Sequence, residues 1–169
     1  MGNRLRTTYI TMVLLCTHIF AFSQQGFAIV NPKHQGKAYL YKNAISKIAI
    51  DTITNDSINE IYYCASIEKT TFNRALITTF TDGISMREIS GWIDWEELGV
   101  RLISDTIVLS KRPLANAEIV GTICMPAWEY IYPIRKAKHG WLYIFDFQKS
   151  TNGWVNPKYL CANPYTTCN

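Results

Sequence analysis

Residues 153–160 read GWVNPKYL, and residues 91–98 read GWIDWEEL. Both stretches begin with Gly-Trp and a β-branched residue, continue with four further residues, and end in Leu. The two glycines, Gly91 and Gly153, lie 62 positions apart. Internal repetition at this distance predicts two copies of one small structural module.

The segments that precede these stretches are also alike. Residues 38–42 and residues 107–111 are short alternating runs that end in Lys before a turn-like stretch. Further runs rich in β-branched and aromatic residues occupy 61–67, 76–80, 129–134 and 141–147, with Asp82-Gly83 and His139-Gly140 as turn signals. Residues 93–98 and 157–160 each have room for a single helical turn. Closely spaced strands with polar turns predict a small barrel or sandwich in each copy.

The N-terminus has the pattern of an export signal. Arg4 and Arg6 form a basic start, residues 9–22 are uncharged and mostly apolar, and residues 21–23 fit a signal-peptidase site. The alternatives are an uncleaved membrane anchor, for which the apolar run is short, and lipidation at Cys16, which the bulky Leu15 disfavours. We therefore expect residues 1–23 to be a cleaved signal peptide and the protein to be periplasmic or secreted, with no stable membrane span after cleavage.

The bulk composition suits a folded protein with little net charge. Hydrophobic residues make up 48% of the chain and charged residues 18%, which excludes a disordered chain. Cleavage after residue 23 removes Arg4 and Arg6, so the net charge falls from +4 to +2. With one short basic cluster at 135–138, a nucleic-acid partner is not expected.

Four cysteines remain after cleavage: Cys64, Cys124, Cys161 and Cys168. An oxidising compartment permits disulfides, and four cysteines allow three connectivities. A bridge between Cys161 and Cys168 would pin the C-terminal tail to the last strand. Cys64 and Cys124 stand in apolar runs that are typical of buried thiols.

The order of these motifs resembles the bacterial SH3 domain family. In residues 104–161 the resemblance rests on the 107–110 run, Ile119-Val120, Gly140-Trp141, and Gly153-Trp154-Val155 followed by Leu160. In residues 27–103 it rests on Gly91-Trp92-Ile93 and Leu98, and Arg74-Ala75 replaces the central Gly-Trp. The resemblance implies two tandem SH3-like β-barrels, an all-β fold divided at 24–103 and 104–169.

Family membership would also imply a role in binding, often beside a hydrolase domain that is absent here. The expected ligand is a cell-wall peptide or glycan of peptidoglycan; the alternative is an interaction module for another envelope protein, such as a scaffold, inhibitor or immunity-type partner. In this reading each Gly frees the backbone for a turn, and each following Trp covers an open barrel end.

Little in the sequence points to catalysis or to a cofactor. A Cys64–His139 hydrolase would need an electropositive, partly exposed thiol, whereas Cys64 follows Tyr62-Tyr63 in a strand-like run. The acids at 94–97 are typical of a solvated turn, and no metal-ligand spacing occurs. We therefore expect no enzyme activity, no metal and no cofactor.

Aromatic residues are the remaining functional signal. Most should fill two small cores, but those near turns or loop ends can be half exposed and line a groove for a peptide. On this basis the predicted ligand-binding residues are Tyr41, Trp95, Trp128 and Tyr132.

Overall fold

The computed structural model describes residues 26–30, 36–55, 63–81, 88–124, 126 and 130–161. Within those ranges the chain forms thirteen β-strands and two single 3₁₀ turns, without an α-helix, so the all-β prediction is confirmed. The expected signal peptide lies outside the described residues. The elements are β1 (Gly26–Val30), β2 (Ala38–Tyr41), β3 (Ala49–Ile53), β4 (Tyr63–Thr70), β5 (Arg74–Thr81), β6 (Ser90–Asp94), η1 (Trp95–Glu97), β7 (Leu98–Leu102), β8 (Thr106–Ser110), β9 (Ile119–Cys124), β10 (Ile131–Lys138), β11 (Trp141–Asp146), β12 (Thr151–Val155), η2 (Pro157–Tyr159) and β13 (Leu160–Cys161).

The strands form one antiparallel sheet in the order β3-β2-β6-β5-β4-β1-β7-β10-β11-β12-β8-β9, and β13 also pairs with β7. We call β2–β7 the first repeat and β8–β13 the second repeat, because they pair in the same order. Each contains two hairpins, a strand that pairs back onto the first strand of the repeat, a 3₁₀ turn and a closing strand.

The repeats agree in register as well as in order. Tyr41 pairs with Trp92 in the first repeat, and Ser110 pairs with Trp154 in the second. The second hairpin of each repeat carries a bulge, between Ile67 and Lys69 in one and between Ile134 and Lys136 in the other. Residues of the paired strands can therefore be matched position by position between the two repeats.

Strand β7 belongs to the pairing scheme of both repeats. It closes the first repeat against β1, where Val30 pairs with Leu98, and it pairs with β10 of the second repeat, where Tyr132 faces Val100. Its last residue, Leu102, pairs with Leu160 of β13. The repeats are thus joined by main-chain hydrogen bonds and do not hang on a flexible linker.

The core is aliphatic and continuous through both repeats. Alternation along the strands buries every second side chain, as in β11, where Leu142 and Ile144 are fully buried and Trp141 and Tyr143 are half-buried. Matching positions of β5 hold Ala75 and Ile77, both also fully buried. Ile and Leu side chains make up most of the buried volume.

Two of the three Gly-Trp steps do not have the role expected from the sequence, whereas Gly140, before Trp141, has the expected turn conformation with φ +84°. Trp92 and Trp154 are half-buried on the outer face of the sheet and do not fill the core. Gly91 and Gly153 have no positive φ; an added Cβ at Gly153 would lie 2.8 Å from the Cβ of Leu109. These glycines are needed for close approach of neighbouring strands, and the expectation of a turn conformation is wrong for both.

Among the described residues, no helix is both long and apolar enough to cross a membrane.

Candidate functional site

A cleft of about 780 Å³ opens where the first repeat meets β10 of the second. The first repeat supplies the β2–β3 loop, the β4–β5 turn and η1, and the second repeat supplies two residues at the β10 bulge. The lining residues are Ala44, Ile45, Ser46, Lys47, Phe72, Asn73, Arg74, Asp94, Trp95, Glu96, Glu97, Arg135 and Lys136. Both repeats are therefore needed to form the complete cleft.

Arg74 organises the floor of this cleft. Its guanidinium carbon lies 3.4 Å from the centre of the Tyr41 ring, and its Nε donates to Asp94 Oδ1 at 2.7 Å. Its Nη1 donates to the Ser46 carbonyl oxygen at 2.6 Å. The Arg74 side chain is only 12% exposed, so one planar cation connects β2, β6 and the β2–β3 loop.

Trp95 supports the wall of the cleft from its buried side. It is the first residue of η1 and is 4% exposed, and its Nε1 donates to the Thr71 carbonyl oxygen at 3.1 Å. Its backbone N–H donates to the Asn73 carbonyl oxygen at 3.4 Å. These two bonds hold the β4–β5 turn against η1, which sets the position of Phe72 at the tip of that turn.

The β10 bulge brings the second repeat to the cleft. A bulge re-aims side chains on the strand that carries it, and Arg135, which lies inside the bulge, places its Nη1 3.7 Å from Glu96 Oε1 of η1. Both side chains are well exposed, at 41% and 80%, so this ion pair contributes little stability. It marks the rim of a cleft whose charges have both signs.

Two large apolar side chains stand at the mouth of the cleft. Ile45 and Phe72 are each 90% exposed, which is the highest exposure of any large hydrophobic side chain in the described part of the chain. Leu114, in the corresponding β8–β9 loop of the second repeat, is 50% exposed and does not line the cleft. Side chains that gain so little from the fold are suited to contact with a ligand.

The structure brings together two of the four aromatic residues predicted as a site. Trp95 lines the cleft and Tyr41 lies beneath Arg74. Tyr132 is 4% exposed in β10, so half exposure is a wrong expectation for Tyr132, as it is for Trp95. Trp128 lies outside the described residues.

Tyr132 has a buried phenol with an unusual environment. Burial raises the pKa of Tyr132 to about 12, and the charge of Asp146 and the neighbouring Tyr130 add to the effect. The rings of Tyr130 and Tyr132 meet edge to face, with their centroids 4.6 Å apart. Both rings pack in or against the core, which assigns Tyr132 a structural role.

The sequence reading missed Arg74, Phe72, Ile45 and the role of Arg135. The sequence held one signal for Arg74. A charged residue occupies this position in the first copy, whereas the second copy has Trp141 of a Gly-Trp step. Exposed Ile45 and Phe72 could not be distinguished from core residues by residue type. Arg135 belongs to a cluster that reads as a solvated hairpin end, and only the pairing of β10 with β7 places it beside η1.

The cysteines give no reactive centre at the cleft. Cys64 is buried in β4, Cys124 is a free and exposed thiol at the end of β9, and Cys161 is buried in β13. Cys124 is therefore not the buried thiol that its apolar run indicates. Cys168 lies outside the described residues, so a Cys161–Cys168 bridge stays a prediction. The described residues hold no group of three or more metal-ligating side chains.

The chain matches no protein-family model and no curated protein sequence.

Proposed function

We propose that this protein is an exported, non-enzymatic binding protein built from two SH3-like barrels that share strand β7. Support for the SH3-like assignment comes from the repeated order of two hairpins, a returning strand that begins near Gly-Trp, a single 3₁₀ turn and a short closing strand. Export rests on the N-terminal sequence pattern and is tested by the mass of the mature protein.

The cleft between the repeats is the proposed ligand site, and its mixed charge carries the proposal. Its lining combines the cations Lys47, Arg74, Arg135 and Lys136 with the anions Asp94, Glu96 and Glu97, beside the exposed Ile45 and Phe72. A short peptide that bears carboxylates, an amine and apolar side chains complements such a lining. Cell-wall stem peptides have this chemistry, so we favour the peptide of peptidoglycan over its glycan as the ligand here.

The environment of Cys64, the candidate nucleophile of a hydrolase, favours binding over catalysis. Cys64 is 2% exposed and lies between β1 and β5, where it faces Ile29 and Phe80 in the register. A nucleophilic thiol needs an accessible, electropositive setting. The cleft has charged groups for recognition, and its lining contains no Cys or His.

The test is retention of the purified mature protein on insoluble peptidoglycan. Wild-type protein should be retained, and soluble stem peptide should release it. Phe72→Ala and Ile45→Ala should each weaken retention about tenfold, as expected when a well-exposed apolar contact is lost at an interface. Leu114→Ala is the matched control, because it removes an exposed aliphatic side chain from the corresponding loop of the second repeat, away from the cleft, and it should leave retention unchanged.

Two results would overturn parts of this proposal. Absence of wild-type retention would remove the peptidoglycan ligand and favour the alternative, an interaction module for another envelope protein; the 90% exposure of Ile45 and Phe72 already suits such an interface. Equal retention of the Phe72 and Leu114 variants would move the binding site away from the cleft.

A further inference from the structure

A second surface, on the outer side of β10–β12, is unlike its counterpart in the first repeat. Trp141, Tyr143 and Phe145 alternate along β11 on the outer face, and Trp154 pairs with Tyr143 from β12. We call these four residues, with Lys136 and Lys138 of β10, the aromatic face. All four aromatic side chains are half-buried, so each presents part of its ring to solvent.

Comparison of the repeats shows that the fold does not require aromatic residues at these positions. The register matches Trp141, Tyr143 and Phe145 with Arg74, Leu76 and Thr78 of the first repeat. Of the four aromatic positions only Trp154 keeps its type, as Trp92. The inward residues between them, Leu142 and Ile144, match the aliphatic Ala75 and Ile77, so the change to aromatic side chains is confined to the face towards solvent.

The rings on this face form two contacting pairs. Tyr143 and Trp154 meet edge to face with centroids 5.5 Å apart, and the Tyr143 hydroxyl donates a hydrogen bond to Oδ1 of Asn152. Phe145 contacts Phe147, which is 59% exposed, at 4.5 Å between centroids. From Trp141 to Phe145 the strand runs about 13 Å, which is long enough for more than one sugar ring.

The charge of the aromatic face is positive and lies along one side. Lys136 pairs with Tyr143 and holds its Nζ 5.5 Å from the ring centre, and Lys138 pairs with Trp141. None of the outward side chains described on β10, β11 or β12 is acidic, since Asp146 points inward and is 2% exposed. In the first repeat, by contrast, Arg74 is paired with Asp94.

We infer that the aromatic face is a carbohydrate-binding site for an acidic polysaccharide, with the sugar rings stacked on Trp141, Tyr143 and Trp154 and the carboxylates near Lys136 and Lys138. Flat apolar rings with polar edges suit the C–H faces and hydroxyls of sugars. Two lysines beside the rings supply cations for the carboxylates of such a polymer, whereas a net charge of +2 for residues 24–169 is low for a protein that binds nucleic acid.

The site is separate from the proposed peptide cleft except at Lys136, which borders both. The test therefore uses Trp141, Trp154 and Lys138, and it uses a soluble polysaccharide without peptide. The probe is polygalacturonate, and its binding to the full mature protein is measured by affinity electrophoresis. Its methyl ester supplies the same rings without charge, and polyglutamate supplies the charge without rings.

Polygalacturonate should retard the wild-type protein, and the methyl ester and polyglutamate should each do so much less. Trp141→Ala and Trp154→Ala should weaken binding about tenfold, and Lys138→Ala about threefold. Trp92→Ala is the matched control for Trp154→Ala, since it removes the equivalent indole from a face without the other aromatic residues, and it should leave binding unchanged. Phe72→Ala should also leave it unchanged, which separates this site from the cleft.

Circular dichroism and the melting temperature of each variant show whether it folds. If Trp154→Ala does not fold, Phe147→Ala serves in its place, because Phe147 is mostly exposed and should weaken binding measurably. The inference is overturned if polyglutamate or a single-stranded oligonucleotide retards the protein as strongly as polygalacturonate, or if Trp92→Ala and Trp154→Ala weaken binding equally.

Discussion

The guanidinium carbon of Arg74 lies 3.4 Å from the centre of the Tyr41 ring, which places a planar cation where the second repeat has an indole. The equivalent positions there hold Trp141 and Ser110. One scaffold therefore carries a charged, hydrogen-bonded outer face in the first repeat and an aromatic outer face in the second.

Substitution of Arg74 should destabilise the protein. Arg74→Ala removes the ring contact and leaves Asp94 and the Ser46 carbonyl without this donor, so we expect the free energy of unfolding to fall by about 2–4 kcal/mol. Arg74→Lys keeps the charge but not the planar guanidinium with its several N–H donors, so it should lose part of this free energy of unfolding. Urea denaturation measures both, with the exposed Lys69→Ala as control. A change below about 0.5 kcal/mol for Arg74→Ala would contradict the assigned role.

Gly91 and Gly153, the glycines of two Gly-Trp steps, should differ in their tolerance of a methyl group. An added Cβ at Gly153 would lie 2.8 Å from Leu109 Cβ and 3.1 Å from Val120 Cγ2, whereas at Gly91 the nearest atom, Leu40 Cβ, is at 3.1 Å. Gly153→Ala should therefore cost about 1–3 kcal/mol of stability and Gly91→Ala less. Guanidinium unfolding midpoints give the comparison. A larger loss for Gly91→Ala would show that the room for the added methyl group does not determine the loss of stability.

The two repeats should unfold in one transition. Ile77 and Ile144 occupy matching buried positions in a single continuous core, and β7 hydrogen-bonds to both repeats. Ile77→Ala or Ile144→Ala should each lower the free energy of unfolding by about 2–5 kcal/mol and shift the whole transition. Far-ultraviolet circular dichroism and tryptophan fluorescence should give the same midpoint for each variant. Two separated transitions would mean that the repeats are energetically independent.

The protein should lose stability in alkaline solution as Tyr132 ionises. Burial raises the pKa of Tyr132 to about 12, above the ordinary value of about 10 for the unfolded chain. The folded state therefore favours the neutral phenol; this contribution is complete below about pH 10 and is lost as the pH rises towards 12. Tyr132→Phe should flatten that part of the stability profile, measured by urea denaturation across this range. Tyr39→Phe, at an exposed position, is the control and should follow the wild-type profile.

Local patterns predicted the strands well, because period-two alternation and turn residues act over a few positions. The run at 141–147 becomes β11, the run at 76–80 lies within β5, and the two single helical turns occur as η1 and η2. The repeat itself was visible because Gly-Trp and Leu keep their spacing. What joins the repeats was not visible, since the pairing of β7 with β10 links Val100 to Tyr132 across a sequence separation that no local pattern encodes.

The candidate site was only partly predictable for a related reason. Trp95 and Tyr132 stand near turns, which suggested exposure, yet tertiary packing buries both to 4% exposed. Trp92 and Trp154 follow glycines in apolar runs, which suggested burial, yet each lies on the outer face. Aromatic side chains suit either environment, so residue type and local pattern do not decide between them.

Strand β7 has a consequence for how the molecule can be divided. A fragment that begins at residue 104, where the second sequence copy starts, would lack the strand to which both β10 and β13 attach, leaving two unsatisfied edges. A fragment that ends at residue 103 would keep β7 but expose the edge that β10 covers. The unit repeated in the sequence is thus one strand shorter than the unit whose strands can all be paired. Excision of either copy would expose a strand edge that can pair with other chains and promote aggregation.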